Sequence, residues 1–157
     1  MKTIQKYILL TLLVLGVGIT GCSSNNDELY DNDGISVSYR TIDADGKTAT
    51  VFRNGETMTF DLVIRNLTDH TLKYADESDF IKGTFVVYNS VGQSFNPIPA
   101  TDFRMHPVVI EPGEQFCRRL SWPWSTVPLP VGQYYSSFTL VIEENKKQTY
   151  TTFFEIK

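Results

Sequence analysis

The sequence predicts an all-β fold, an antiparallel sandwich of seven or eight strands. Apolar and polar residues alternate at period two over residues 35–39, 57–66, 134–143 and 150–156. Between such stretches stand turn signals: Asp43-Ala44-Asp45-Gly46, Asn54-Gly55, Glu111-Pro112-Gly113-Glu114 and Val131-Gly132-Gln133. After residue 22 nothing keeps a helical period beyond one turn. Many short strands of this kind fold as a sandwich of two packed sheets, here of immunoglobulin-like type.

The chain opens differently. Lys2 and Lys6 precede an apolar run from Tyr7 to Gly18, which closes on Ile19-Thr20-Gly21-Cys22. A bilayer span needs about 20 apolar residues, so this run is too short to cross. A charged start, an apolar middle and small residues at the end predict a secretory signal over residues 1–21. Ser23 to Asp33 is polar and acidic, and reads as a flexible tether.

The domain then fills 34–157. Ile35, Val37 and Tyr39 share one face of the first strand. Thr48 to Arg53 is short and β-prone. In Thr57 to Asn66, Met58, Phe60, Leu62 and Ile64 face a core, while Thr57, Thr59, Asp61 and Arg65 face water. Leu72 and Tyr74 mark a short strand. Thr84 to Tyr88 is apolar on both faces and reads as a central strand. Pro97, Pro99 and Pro107 forbid a regular ladder over Phe95 to Pro107, a loop long enough to be functional. Val108 to Ile110, Gln115 to Trp122, Tyr134 to Glu143 and Tyr150 to Ile156 complete the strands, with a hairpin tip at Glu144 to Lys147. Phe85, Val87, Phe116, Leu120, Phe138, Leu140 and Phe154 join the core.

Removing residues 1–21 leaves 136 of 157, one domain's worth of chain. Without Lys2 and Lys6, 12 basic residues face 18 acidic ones, a formal charge of −6. Nucleic acid is therefore not an expected partner, since phosphate contacts need basic patches.

Residues 19–22 resemble the lipobox of bacterial lipoproteins: an aliphatic residue, a hydroxyl residue, Gly, then Cys. The resemblance implies cleavage after Gly21, a palmitate-type lipid on Cys22, and an anchor in the outer membrane. Acids after the Cys resemble the export signal of Bacteroidetes-type lipoproteins. They start late here, at Asp27, and leave the periplasmic face and the cell surface both open. Domains then run as signal peptide 1–21, lipidated Cys and tether 22–33, and sandwich 34–157. With Cys22 lipidated, Cys117 has no partner in the chain and is expected as a small buried hydrophobe.

Asn54-Gly55-Glu56 before a strand ending at Arg65-Asn66, Phe85-Val86-Val87-Tyr88-Asn89 with Gly92, Glu111-Pro112-Gly113-Glu114, Trp122, and Pro130-Val131-Gly132-Gln133-Tyr134 together resemble the BsuPI-type proteinase-inhibitor domains. The resemblance implies an immunoglobulin-like fold, with Tyr134 as a tyrosine corner. It also implies proteinase inhibition as one alternative.

No catalytic set appears. His70 and His106 are the two histidines, both in loops, and no Gly-x-Ser-x-Gly occurs. Zinc lacks ligands, and no cofactor is expected. Asp31-Asn32-Asp33-Gly34 and Asp43-Ala44-Asp45-Gly46 lack the later ligands of a calcium loop and read as turns. Asn66-Leu67-Thr68 fits a glycosylation triplet, discounted beside a bacterial lipobox. Aromatics are the surplus: Trp122, Trp124, Tyr135 and Phe103 are the candidate ligand-binding residues. The expected function is a lipid-anchored, non-enzymatic envelope domain binding a protein or glycan. The alternatives are a proteinase inhibitor and a structural envelope lipoprotein.

Overall fold

The computed structural model describes residues 30–32, 34–75, 81–82, 85–97, 107–143 and 146–157. The signal, the lipobox with Cys22, Phe103 and His106 lie outside the described residues.

The described elements are strands: β1 (Tyr30–Asn32), β2 (Ile35–Ile42), β3 (Val51–Phe52), β4 (Thr59–Asn66), β5 (Leu72–Tyr74), β6 (Ile81–Lys82), β7 (Val87–Asn89), β8 (Ser94–Phe95), β9 (Val108–Ile110), β10 (Gln115–Ser121), β11 (Gly132–Glu143) and β12 (Lys146–Ile156). The fold is an all-β, immunoglobulin-like sandwich. One sheet runs β1-β2-β4-β10. The other runs β3-β12-β11-β7-β8, with β6 also on β11, and β5 pairs β9 apart from both. Among the described residues, all pairings are antiparallel except β3 with β12. The strand count exceeds seven or eight because the sheets recruit two- and three-residue pieces that carry no periodicity of their own.

Period-two alternation places the core. Val37, Tyr39, Phe60, Leu62 and Ile64 from one sheet meet Val87, Phe138, Leu140, Tyr150 and Phe154 from the other, all buried. The rings interlock. Tyr39 stands edge-on to Phe138 at 5.0 Å and 85°, and Phe60 edge-on to Phe154 at 5.7 Å and 76°. Phe116 and Leu120, expected inside, are half-buried at the margin. A polar tie crosses this core. Ser136 Oγ donates to the Val86 carbonyl at 2.8 Å, so the 2.7 Å contact beside it is donated by the Tyr39 hydroxyl.

The turns follow their chemistry. Gly113 takes φ 82° in the turn after Glu111, and Gly34 takes φ 78° between β1 and β2. A Cβ on Gly34 would also sit 3.0 Å from the Thr68 methyl. Tyr134 is a tyrosine corner, its hydroxyl donating to the Pro130 carbonyl at 2.6 Å. Asn66 is buried. Its amide donates to the His70 and Ile110 carbonyls at 2.8 and 2.9 Å, and its oxygen accepts from Thr68 N–H and hydroxyl. That amide nitrogen holds loops together and offers no acceptor for a glycan.

Some expectations are corrected. Tyr30–Asn32 pair with β2, so part of the expected tether belongs to a sheet. The expected strand over Thr84 to Tyr88 begins only at Val87, because Phe85 stands at φ 66°, outside strand geometry, while its ring is fully buried. Asp61 does not meet water. Its neighbours across the sheet are Arg40 on β2 and Arg119 on β10. Arg40 donates through Nε and Nη2 to Asp61 Oδ2 at 3.2 and 3.1 Å, and Arg119 Nε to Oδ1 at 2.6 Å. The Asp61 side chain is 0% exposed between them. Cys117, expected as an unpaired thiol, is half-buried on β10 and is disulfide-bonded.

Candidate functional site

The alternation that fills the core turns every second residue of the larger sheet outward. On β11 these include Gln133, Tyr135, Ser137 and Thr139, and on β12 Thr149, Thr151, Phe153 and Glu155. Register decides what they build. Tyr135 stands opposite Phe153 on β12 and opposite Tyr88 on β7. Three aromatic rings therefore line up across three adjacent strands. Tyr88 and Tyr135 are stacked, centroids 5.3 Å apart at 20°. Tyr135 and Phe153 are 6.2 Å apart at 43°. Cross-strand aromatic pairs stabilise a sheet by about 0.2–1 kcal/mol each.

The row has an open end. Tyr88 and Tyr135 are half-buried, while Phe153 is 68% exposed. Since Tyr88 and Tyr135 cover each other, the widest accessible apolar surface of the row is Phe153. Beside it run hydroxyls. Ser137 pairs Thr151, and Thr139 pairs Thr149 with a 3.1 Å bond between their hydroxyls. Ser94 on β8 stands opposite Tyr88.

Among the described residues, the sequence candidates do not come together. Tyr135 lies in this row. Trp122 is 4% exposed, packs edge-on to Phe60 at 6.0 Å, and donates its indole N–H to the Val127 carbonyl at 2.8 Å. It is a core residue, not a ligand-binding one. Trp124 is half-buried against the core and donates to the Glu56 carbonyl at 2.7 Å, pinning the crossover to the turn after β3. Pro123 bends the chain between the two, so their shared parity does not make a shared face. Phe103 lies outside the described residues. Tyr88 and Phe153 were missed, because strand register is the signal that joins them to Tyr135.

The other polar clusters are structural. Asp43 Oδ1 accepts the N–H groups of Asp45 and Lys47, both at 2.9 Å, which closes the turn. His70 is exposed, with Nδ1 3.2 Å from Asp69 Oδ1. Among the described residues no group of three or more His, Cys, Asp or Glu is placed to hold a metal ion. Burial pushes the phenol of Tyr39 far above its usual range, and raises those of Tyr134 and Tyr150. All three have core-facing rings, outside the row.

No family model matches the chain, and no curated protein matches it. Solved structures with a similar fold include the C-terminal domain of Wzt, with TM-score 0.49 and 9% identity over 85% of this chain and 80% of that one. Another is the CARDB domain of a Pyrococcus furiosus protein, crystallised with di-metal ions, with TM-score 0.45 and 13% identity over 85% of this chain and 100% of that one. At these identities the likeness concerns the fold alone, and nothing either protein binds is carried over.

Proposed function

We propose that this chain is a non-enzymatic, lipid-anchored interaction domain of the cell envelope, and that it engages a protein or glycan through the outer face of its larger sheet. The observation that carries the binding part is the in-register row of Tyr88, Tyr135 and Phe153, ending on an exposed ring. Exposed aromatic rings on rigid strands give contact area with little ordering cost, as binding faces require. Substituting Phe153 and Tyr135 together by Ser should abolish partner binding by the full chain, while the melting temperature stays within a few degrees. Binding that survives the double substitution refutes this face.

The anchor rests on the residues before the fold: Lys2, Lys6, the apolar run and the lipobox-like end at Cys22. Diacylglycerol plus an N-acyl chain would hold the protein at the outer membrane, on its periplasmic face or at the cell surface, since stable anchoring takes at least two chains. The chain has two cysteines. An intrachain bond of Cys117 would use the sulfur that the lipid needs, so the two states exclude each other. The bonded state of Cys117 in this structure weighs against the lipid. Intact mass and thiol alkylation of the native protein separate them. A lipidated Cys22 with an alkylatable Cys117 supports the anchor, and an unmodified, alkylation-resistant pair refutes it.

A further inference from the structure

We infer that the ligand of the aromatic row is a neutral oligosaccharide, one of whose sugar rings stacks on Phe153. This inference rests on the proposed binding face and names its ligand class. Charge is the first ground. From the Gln133–Glu155 pair to the Thr139–Thr149 pair, the outward residues of β11 and β12 carry one charge, on Glu155. That carboxylate has a cation beside it, Lys157 Nζ at 3.8 Å. The cations stand at its ends, Lys157 beside Glu155 and Lys147 as the next outward residue past Thr149, with Lys82 of β6 opposite Thr139, so the middle of the strip at Tyr135, Phe153, Ser137 and Thr151 is uncharged, as a neutral ligand suits. With no charge at its middle, it lacks there the complementary field that steers and orients protein partners.

Hydroxyl placement is the second ground. A pyranose offers an apolar C–H face and a rim of neutral hydroxyls. The sheet offers the matching pattern: an open ring at Phe153, then Ser137, Thr151, Thr139 and Thr149 in the following two rows. Their hydroxyls both donate and accept, as exchange with sugar hydroxyls needs. Tyr88 and Tyr135 stack on one another and hold the row rigid behind Phe153. The site therefore reads one sugar face at Phe153 and the flanking hydroxyls along β12.

The test is a binding screen of the full chain against neutral and acidic oligosaccharides, followed by calorimetry on any hits. Phe153→Ser and Thr151→Val are compared with Trp124→Ala, and circular dichroism confirms that each variant is folded. The expected result is binding to neutral glycans, weakened at least about tenfold by Phe153→Ser and unchanged by Trp124→Ala. Selective binding of acidic glycans, or neutral binding indifferent to Phe153, overturns the inference. Absence of glycan binding, with a protein partner lost on Phe153→Ser, overturns the sugar assignment and leaves the binding face standing. A partner of any kind that ignores both Phe153 and Tyr135 overturns the face as well.

Discussion

Replacing Asp61 by Ala should be among the most destabilising single changes in this domain. Asp61 is fully buried, and its two oxygens take N–H groups from opposite sides. On the Arg40 side both ends are buried, the arginine side chain being 9% exposed. Removing one partner of such a pair costs about 3–5 kcal/mol, because the buried guanidinium loses the carboxylate to which it donates twice. On the other side, Arg119 is 45% exposed, so that contact adds no more than about 1 kcal/mol. The expected loss is about 4 kcal/mol, against a typical domain stability of about 5–15 kcal/mol. Urea unfolding measures it as a midpoint shift of about 2 M at unchanged slope, for a slope near 2 kcal/mol per M. Arg119→Ala should cost about 1 kcal/mol or less in the same assay. A cost below about 1 kcal/mol for Asp61→Ala, or an equal cost for Arg119→Ala, would refute the division of labour drawn from burial.

Asn66→Ala strips the donor from the His70 and Ile110 carbonyls and should cost about 2–4 kcal/mol in the same urea assay, a loss under about 1 kcal/mol counting against it. Tyr134→Phe keeps the ring but removes the bond to Pro130, and about 1 kcal/mol should disappear from a thermal melt. The tyrosines set an alkaline limit. Tyr39 ionises near pH 10 in the unfolded chain and well above that when folded, so the unfolded state holds fewer protons above pH 10. Stability is flat below that pH and falls by about 1.4 kcal/mol per pH unit above it for this one residue. Melts between pH 8 and 11.5 should show the fall, and Tyr39→Phe should reduce its slope; an unchanged slope refutes the assignment to Tyr39.

Much of the sandwich was legible because burial on one face writes itself as alternation. Met58 to Ile64 and Tyr134 to Ile142 announce which side meets the core, and turn glycines announce where chains reverse. The tyrosine corner was legible for the same reason, since Pro130 to Tyr134 is a local pattern. Properties that depend on neighbouring strands were not. Asp61 alternates as a solvent residue should, and only the register of β2 and β10 reveals the arginines on either side. Parity shows that one of the adjacent Tyr134 and Tyr135 must face outward, but Tyr88 lies 47 positions before Tyr135 and Phe153 18 after, and no periodicity links them. The tryptophans misled because Pro123 takes the chain out of strand geometry, where parity no longer assigns faces. Phe85 was misplaced because an apolar residue in a left-handed conformation is indistinguishable, by composition, from one in a strand.

The pairing of β1 with β2 also sets how far a lipid on Cys22 would stand from the sheet. Seven residues, 23–29, separate Cys22 from the first paired residue, Tyr30. Stretched fully, they reach about 25 Å. Because β1 runs antiparallel to β2, it enters the sheet from the end where β2 finishes, at Ile42. A lipid on Cys22 would tether the domain by that end, with the crossover through Trp122 and Trp124 toward the bilayer. The domain could then swivel but not wander. Partners fixed in the same membrane within that radius would meet it at an effective concentration set by that reach, not by expression. Lengthening residues 23–29 with Gly-Ser insertions would dilute such encounters.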